Sequence, residues 1–415
     1  MEEIYFDYIS AHPLDPRVRQ TMSDYVKQSW PNPSSQHKLG DRTSEAMEKA
    51  RGYVAGLIQA KPEEIVFTSG GTESINHAIK GVAWALREKG DHIVTSNIEH
   101  NAVLRSLRRL KMMDYKVTSV PVDEFGLVDP DDVKKVLTDK TVLVSIVHAN
   151  SEIGTITPIA EIGKIVKDRG IFFHTDAVAS AGIVPMDVEG MGLDLVSLAA
   201  NQFYGPSGVG ALYIRQGTPI WPLLDGGVQE GDRRAGAENV LGIVGMGEAA
   251  RIGKEEMGGR REHALKLKML LRTRIENTIE DVYFNGHPTL SLPNLLSVCF
   301  EYVEGESMMI MLGDAGICVS TRSACAAGAL QASHVLLAIG RDFVTAQGAL
   351  VFSFGAFNTD EEVGKVTEEL KSAVSMLRNI SALTRKRKKE YSIGQQPAAE
   401  LASVVNGTPI MPGKG

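Results

Sequence analysis

The sequence predicts an α/β protein built on a mostly parallel sheet, with a smaller α+β unit behind it. Three observations predict this. Between Glu64 and Asp176, short apolar runs alternate with amphipathic stretches of helical spacing, the order that builds βαβ units. From Ala249 onward the pattern changes to a long charged helix followed by short strands and helices. The 415 residues also exceed what one compact core ordinarily organises, so two packed units are expected.

The elements follow in order. IYFDY near the N-terminus reads as extended and reaches a turn at His12-Pro13. Trp30 to Gly40, WPNPSSQHKLG, has turn chemistry throughout and reads as a loop. Arg42 to Gln59 carries Ala46, Ala50, Val54 and Leu57 at helical spacing. Glu64 to Thr68 is a strand, and Ser69-Gly70-Gly71-Thr72-Glu73 opens a helix through Leu86. The order then repeats. Strand His92 to Thr95 leads to a helix near His100, and strand Lys116 to Val120 to a helix over Pro130 to Leu137. Strand Val142 to Val147 precedes a helix over Ile159 to Asp168, and strand Ile171 to Thr175 precedes Asp176. Leu193 to Gly210, LDLVSLAANQFYGPSGVG, reads as a buried strand running into a polar elbow at Asn201, Gln202 and Tyr204, with the apolar run ALYI beyond it. A long helix over about Gly245 to Thr278 bridges into Val282 to Phe284, Leu295 to Tyr302 and a helix over Ser307 to Leu312. Arg385 to Lys389 is a basic run ahead of a small-residue tail, the composition of a solvated helix end and a disordered terminus.

Composition narrows the function. Hydrophobic content of 43% with 23% charged residues fits a folded globular chain. A net charge of -7 argues against a general nucleic-acid binder. No apolar run approaches the roughly 20 residues of a membrane helix, and MEEIYFD lacks the basic and apolar segments of a signal peptide. Cys299, Cys318 and Cys325 show no C-x-x-C spacing, which fits a reducing compartment and opposes a disulfide framework or closed zinc site. The expectation is a cytoplasmic protein without nucleic-acid or membrane partners.

Polar residues gather where the predicted strands end, the edge at which such sheets bind ligands. SGGTES at Ser69 to Ser74 suits an anion cradle at a helix start, although a plain Thr-capped turn would look the same. His100 could stack on a flat ring or move a proton, Asn150 ends the strand Val142 to Val147 in HANSEIGT, and Asp176 could hold a protonated ring nitrogen. Cys325, in the small-residue loop Ser320 to Gly328, reads as an accessible thiol or as packing; Cys299 and Cys318 sit in apolar runs and read as packing.

Taken together, YFDYISAHP, NPSSQHKLG, FTSGGTES, IEHNAV, HANSEIGTITPI, HTDA, YGPSGVGALYIR, GHPTLSLPN, EYVEGES and RSAC resemble the cysteine desulfurases of the class V aminotransferase family, over about residues 4 to 385. The resemblance implies an aminotransferase-like large domain over 15–260 and a small domain from 1–14 and 261–385 that carries the Cys325 loop. Residues 386–415 then form a tail. It implies a homodimer with active sites near the subunit interface. In that family, pyridoxal phosphate bound to a lysine as a Schiff base converts cysteine to alanine and leaves a persulfide on a loop cysteine, which feeds iron–sulfur cluster or thio-cofactor assembly. Gly71 and Thr72 match the phosphate cradle, His100 the ring-stacking residue, Asp176 the partner of the pyridine nitrogen, Asn150 a residue near the substrate carboxylate, and Cys325 the persulfide cysteine.

The departures run in one direction. Asn201-Gln202 stands where the family has His-Lys, and an amide cannot form an imine or shuttle a proton as a lysine does. Ala179 replaces a Gln that bonds the ring hydroxyl, Ala199 a phosphate-binding Ser, and Ala237 a Thr contributed across the dimer. Ala356 replaces the Arg that clamps the substrate carboxylate. The resulting expectation is a desulfurase-like protein of sulfur mobilisation or iron–sulfur assembly whose pyridoxal phosphate site is altered. Cys325 would handle sulfur or ligate an iron–sulfur cluster completed by a scaffold or sulfur-acceptor partner, since one thiolate is too few alone. The alternatives are an enzyme holding pyridoxal phosphate noncovalently, and a noncatalytic dimeric partner or regulator of a true desulfurase.

Overall fold

The computed structural model of the protein describes residues 3–28, 31–321 and 332–381. Cys325 and the basic tail lie outside the described residues. The chain opens with β1 (Ile4–Tyr5), α1 (Pro16–Gln28) and α2 (Lys38–Leu57). Alternation then sets in: β2 (Ile65–Thr68), α3 (Gly71–Ala85), β3 (His92–Ser96), α4 (Asn101–Lys111), β4 (Lys116–Val120), α5 (Pro130–Val136), β5 (Thr141–Ser145), α6 (Ile159–Asp168) and β6 (Phe172–Asp176). β7 (Leu195–Ala199) and β8 (Gly210–Ile214) flank the elbow, and a single turn, α7 (Gln229–Asp232), precedes the 39-residue α8 (Val240–Thr278). The remainder comprises β9 (Val282–Asn285), β10 (Leu295–Phe300), α9 (Gly305–Asp314), β11 (Ile317–Cys318), α10 (His334–Ala338), α11 (Phe343–Gln347), β12 (Ala349–Ser353) and α12 (Asp360–Ile380).

Seven strands form the main sheet in the order β2-β8-β7-β6-β5-β3-β4. All run parallel except β8, which is antiparallel to both β2 and β7. The tight glycine-rich link from the elbow forces this reversal, because a parallel return needs a crossover of a dozen or more residues. One core lies on the α2 and α6 side of the sheet, around Val54, Phe67, Phe173 and Met246, and another on the α3 and α4 side, around Ile79, Val103 and Leu143. A further core gathers Ile4 and Phe6 with Leu267, Leu271, Phe352 and Leu370, behind the antiparallel sheet β12-β10-β9. α8 joins the two regions, contributing Ile243, Met246 and Ala250 to the first core and Leu267, Leu271 and Ile275 to the other. It packs closely on α2, since a Cβ on Gly247 would stand 2.5 Å from the Cα of Ala50.

Several elements depart from the sequence reading. α1 occupies a stretch the sequence reading left without a helix, although Asp15-Pro16 is a start signal: the Asp15 carboxylate accepts the Arg17 N–H at 2.9 Å and proline opens the first turn. α2 begins at Lys38, inside the segment read as loop, because His37 Nδ1 accepts the Gly40 N–H at 3.1 Å and caps it. β12 and α12 also went unread. Among the described residues no helix is long and apolar enough to cross a membrane.

Candidate functional site

A cavity of about 270 Å³ opens beyond the carboxyl ends of the parallel strands. The turn from β2 into α3 supplies Gly71 and Thr72. Gly70 has φ 147°, a conformation only glycine adopts readily, and a Cβ on Gly71 would meet Val178 Cγ2 at 2.7 Å. The Val178 side chain thus fills the space a side chain on Gly71 would need. A helix start leaves its first N–H groups without intrahelical acceptors, so the mouth of α3 suits an anion.

β3 delivers Glu99 and His100. His100 caps α4, its Nδ1 accepting the Ala102 N–H at 3.1 Å, and its exposed ring lines the cavity. Glu99 is a site residue the sequence reading passed over. It is 1% exposed. Its Oε1 accepts from Ser96 Oγ at 2.6 Å and from the Val147 N–H at 2.9 Å, while Oε2 is buried without a partner. Burial pushes its carboxyl up to about 8 against those bonds, with nearby Asp176 adding to the rise. Its neighbour His100 was read without it, because no spacing shows that a glutamate in IEHNAV turns inward.

Asp176 ends β6 against the same cavity. Burial raises its carboxyl, opposed by the Val178 N–H, which donates to Oδ1 at 3.0 Å, and by His100. A cationic N–H brought beside it would find an acceptor in surroundings of low polarity, where such a bond is strong. Asn150 also lines the cavity, with its amide oxygen and one of its two N–H donors engaged by the backbone. Nδ2 donates to the Ile98 carbonyl at 2.8 Å, and Oδ1 accepts the N–H groups of Glu152 and Ile153 at 2.8 and 3.0 Å.

The elbow closes one wall. Asn201 and Gln202 both line the cavity, as do Ala199 and Ala179. Gln202 turns its amide onto the N-terminal segment: Nε2 donates to the carbonyls of Ile9 and Ser10, both at 3.1 Å. The Asn201 carbonyl accepts the His12 N–H at 2.8 Å. Ile9 and Ser10 thereby become part of the cavity wall, which nothing in residues 1–15 foretold. No lysine lies among the described lining residues.

Ala237 and Ala356, where the resemblance implies a Thr and an Arg, lie apart from this cavity. Ala237 lines a separate groove with Tyr25, Pro33 and Asn239. The Ala356 N–H donates to the Tyr204 hydroxyl at 2.7 Å, beside His12 and Arg260. Arg260 is no free cation there. It stacks 4.3 Å over the Tyr204 ring and bonds Asp15 at 3.0 Å and Glu256 at 2.8 Å.

Cys325 lies outside the described residues, but the chain that follows its loop is anchored at the cavity. Ser333 Oγ donates to the Glu152 carboxylate, and His334 Nε2 meets the Glu99 carbonyl at 3.0 Å. Burial pushes the thiols of Cys299 and Cys318 up, away from the reactive thiolate. Among the described residues no group of three His, Cys, Asp or Glu is arranged to hold a metal ion.

Known proteins resemble most of the chain. It is 47% identical over 394 residues to the cysteine desulfurase IscS of Dictyoglomus turgidum, covering 95% of this chain and 99% of that protein. It is 46% identical to the cysteine desulfurase IscS of Methanosarcina thermophila, covering 92% and 95%. Among solved structures, a NifS-like protein matches with a TM-score of 0.85 at 38% identity, covering 90% of this chain and all of that one. SspA in complex with cysteine matches with a TM-score of 0.75 at 32% identity, covering 86% and 100%. The family profile for class V aminotransferases matches residues 4–366, and by that match, its fold and these relatives, the chain belongs to the class V aminotransferase family.

Proposed function

We propose that this chain is a desulfurase-like protein of sulfur mobilisation that offers pyridoxal phosphate a noncovalent seat, with Cys325 as its sulfur-handling thiol. The carrying observation is Gln202, whose side chain ties Ile9 and Ser10 instead of offering an amine to the cavity. The remaining lining residues fit the cofactor. The mouth of α3 at Gly71 and Thr72 suits a phosphate, the exposed His100 ring suits a planar face, and buried Asp176 suits a ring N–H. When bound, pyridoxal phosphate supplies an electron sink for bonds at an amino acid's Cα. This chain's own residues orient the ring and exclude water, but no described lining side chain is an amine able to hold the aldehyde covalently or carry a proton at Cα. Without an arginine at position 356, substrate also lacks a bidentate clamp for its carboxylate.

The reading extends to the assembly. The large domain is 15–260, and the small domain comprises 1–14 and 261–385. Two copies form a homodimer that exchanges sulfur with an acceptor or iron–sulfur scaffold protein in the cytoplasm. The test is the visible spectrum of purified protein mixed with pyridoxal phosphate and cysteine, read beside sulfide release. A free-aldehyde band that dialysis removes, with no sulfide above background, is expected, and Gln202→Lys should make the band resist dialysis. Sustained sulfide release that Cys325→Ala abolishes would overturn the proposal.

A further inference from the structure

Two carboxyls of the cavity wall are joined through consecutive residues of the chain that leaves β5. The Val147 N–H donates to Glu99 Oε1 at 2.9 Å, and the next N–H, that of His148, donates to the Asp176 carbonyl at 3.0 Å. Glu99 thus lies on the β3 side of this segment and Asp176 on the β6 side, in keeping with the sheet order β6-β5-β3. The two oxygens of Glu99 are treated unequally. Oε1 also accepts from Ser96 Oγ at 2.6 Å, whereas Oε2 is buried without a partner. Neither oxygen of Asp176 is stranded in that way, and its Oδ1 accepts the Val178 N–H. Little in the wall offsets two negative charges. The other titratable side chains among the described lining residues are Glu152, His100 and His334, with no lysine or arginine. His100 Nδ1 accepts the Ala102 N–H, which a doubly protonated ring could not do. His334 turns Nε2 to the Glu99 main-chain carbonyl, and Glu152 is bonded by Ser333 Oγ.

We propose that Glu99 is a neutral carboxylic acid with its proton on Oε2, and that it and Asp176 carry a single negative charge, held by Asp176. A buried carboxylate without a counter-charge is costly enough that it takes up a proton instead. Where two carboxyls share a site, one of them keeps its proton to higher pH. The stranded oxygen decides which one, since charge on Oε2 would go unanswered while no oxygen of Asp176 is sealed off. Burial pushes the Glu99 carboxyl up to about 8 against its two bonds, and Asp176 adds to the rise. Glu99 then acts through Asp176 as a positioning residue. It leaves that carboxylate the one charge a ligand N–H meets, and adds no second charge to repel an anion at the mouth of α3. The proton is on Glu99 before any ligand arrives, so its absence would leave the cofactor reading untouched, and loss of that reading would leave Glu99 as it is.

The test follows the infrared C=O stretch of protonated carboxyls in the full chain, without ligand, as pH is raised from about 6 to about 10. The wild type is expected to show a band that disappears with a midpoint at about 8. E99Q, which keeps an acceptor for the Ser96 and Val147 bonds, should lack that band at every pH. D176N should move the midpoint to lower pH, because it removes the neighbouring negative charge. Wild-type protein made with carboxyl-labelled glutamate should show the band at lower frequency, which assigns it without any substitution if a variant folds poorly. No band at the start of the titration, a band that survives in E99Q or ignores the label, or a midpoint unmoved in D176N would each overturn the proposal.

Discussion

One amide ties the elbow to the N-terminal segment at the cavity wall. Gln202 donates to two main-chain carbonyls, and its Oε1 is buried without a partner. Shortening it to alanine removes both bonds from carbonyls that water can reach only partly, at about 1 kcal/mol each. Gln202→Ala should therefore unfold at lower temperature by about 2 kcal/mol of stability, and hydrogen exchange should rise first at the amides of residues 9–12. An unchanged exchange pattern there would mean the strap contributes nothing. Ala199 and Ala179 explain themselves differently. Ala199 lies near Gly71, and Ala179 packs against the apolar cluster of Ile9, Leu292 and Leu295, so each joins the cavity wall to packed surroundings.

Among the elements, α2, β2 and the α7 turn are bound by one buried pair. Arg51 forks onto Glu230 at 2.7 and 2.9 Å and also donates to the Ile65 carbonyl, while Glu230 accepts the Phe67 N–H at 2.8 Å. Glu230, Gly231 and Asp232 all have positive φ, so this pair holds a turn that the backbone would not choose alone. Arg51→Ala leaves a buried carboxylate uncompensated and should cost about 3–5 kcal/mol, read by denaturant unfolding. Arg51→Lys should recover only part, having no fork. At this scale the sequence was largely legible. Ile159–Asp168 stands where periodicity puts it, burying Ile159, Ile162 and Val166 at helical spacing, and Lys116–Val120, rich in β-branched residues, stands where the strand–helix alternation puts it. The direction of β8 was not legible, since an apolar run carries no arrow. Within the site, Gly71, His100 and Asp176 could be read because they end strands, whereas Glu99 and the Ile9–Ser10 wall depend on contacts 48 and 193 residues apart.

Across the molecule, three buried histidines, and half-buried His12 beside Arg260, are held in neutral form. Burial lowers His12 and His174 to about 3, and His77 and His148 to about 4, from an ordinary 6.5. Each is uncharged in the fold and takes a proton on unfolding, so its contribution is fully present above pH 6.5 and is lost as pH falls towards 4 and 3. The protein should therefore lose stability progressively below pH 6.5, before most carboxylates titrate. His174→Asn should shallow that loss, measured as unfolding midpoint against pH. An identical slope in the variant would remove His174 from the account. The N-terminal residues bear on the whole chain in another way. Ile4 and Tyr5 pair with Ile317 and Cys318, and Phe6 packs edge-on to Phe354. During synthesis, every strand of the main sheet leaves the ribosome before the strand that pairs with Ile4 and Tyr5 is made. β1 must wait for β11, so a ribosome stalled before residue 317 would hold a finished main sheet with β1 unpaired.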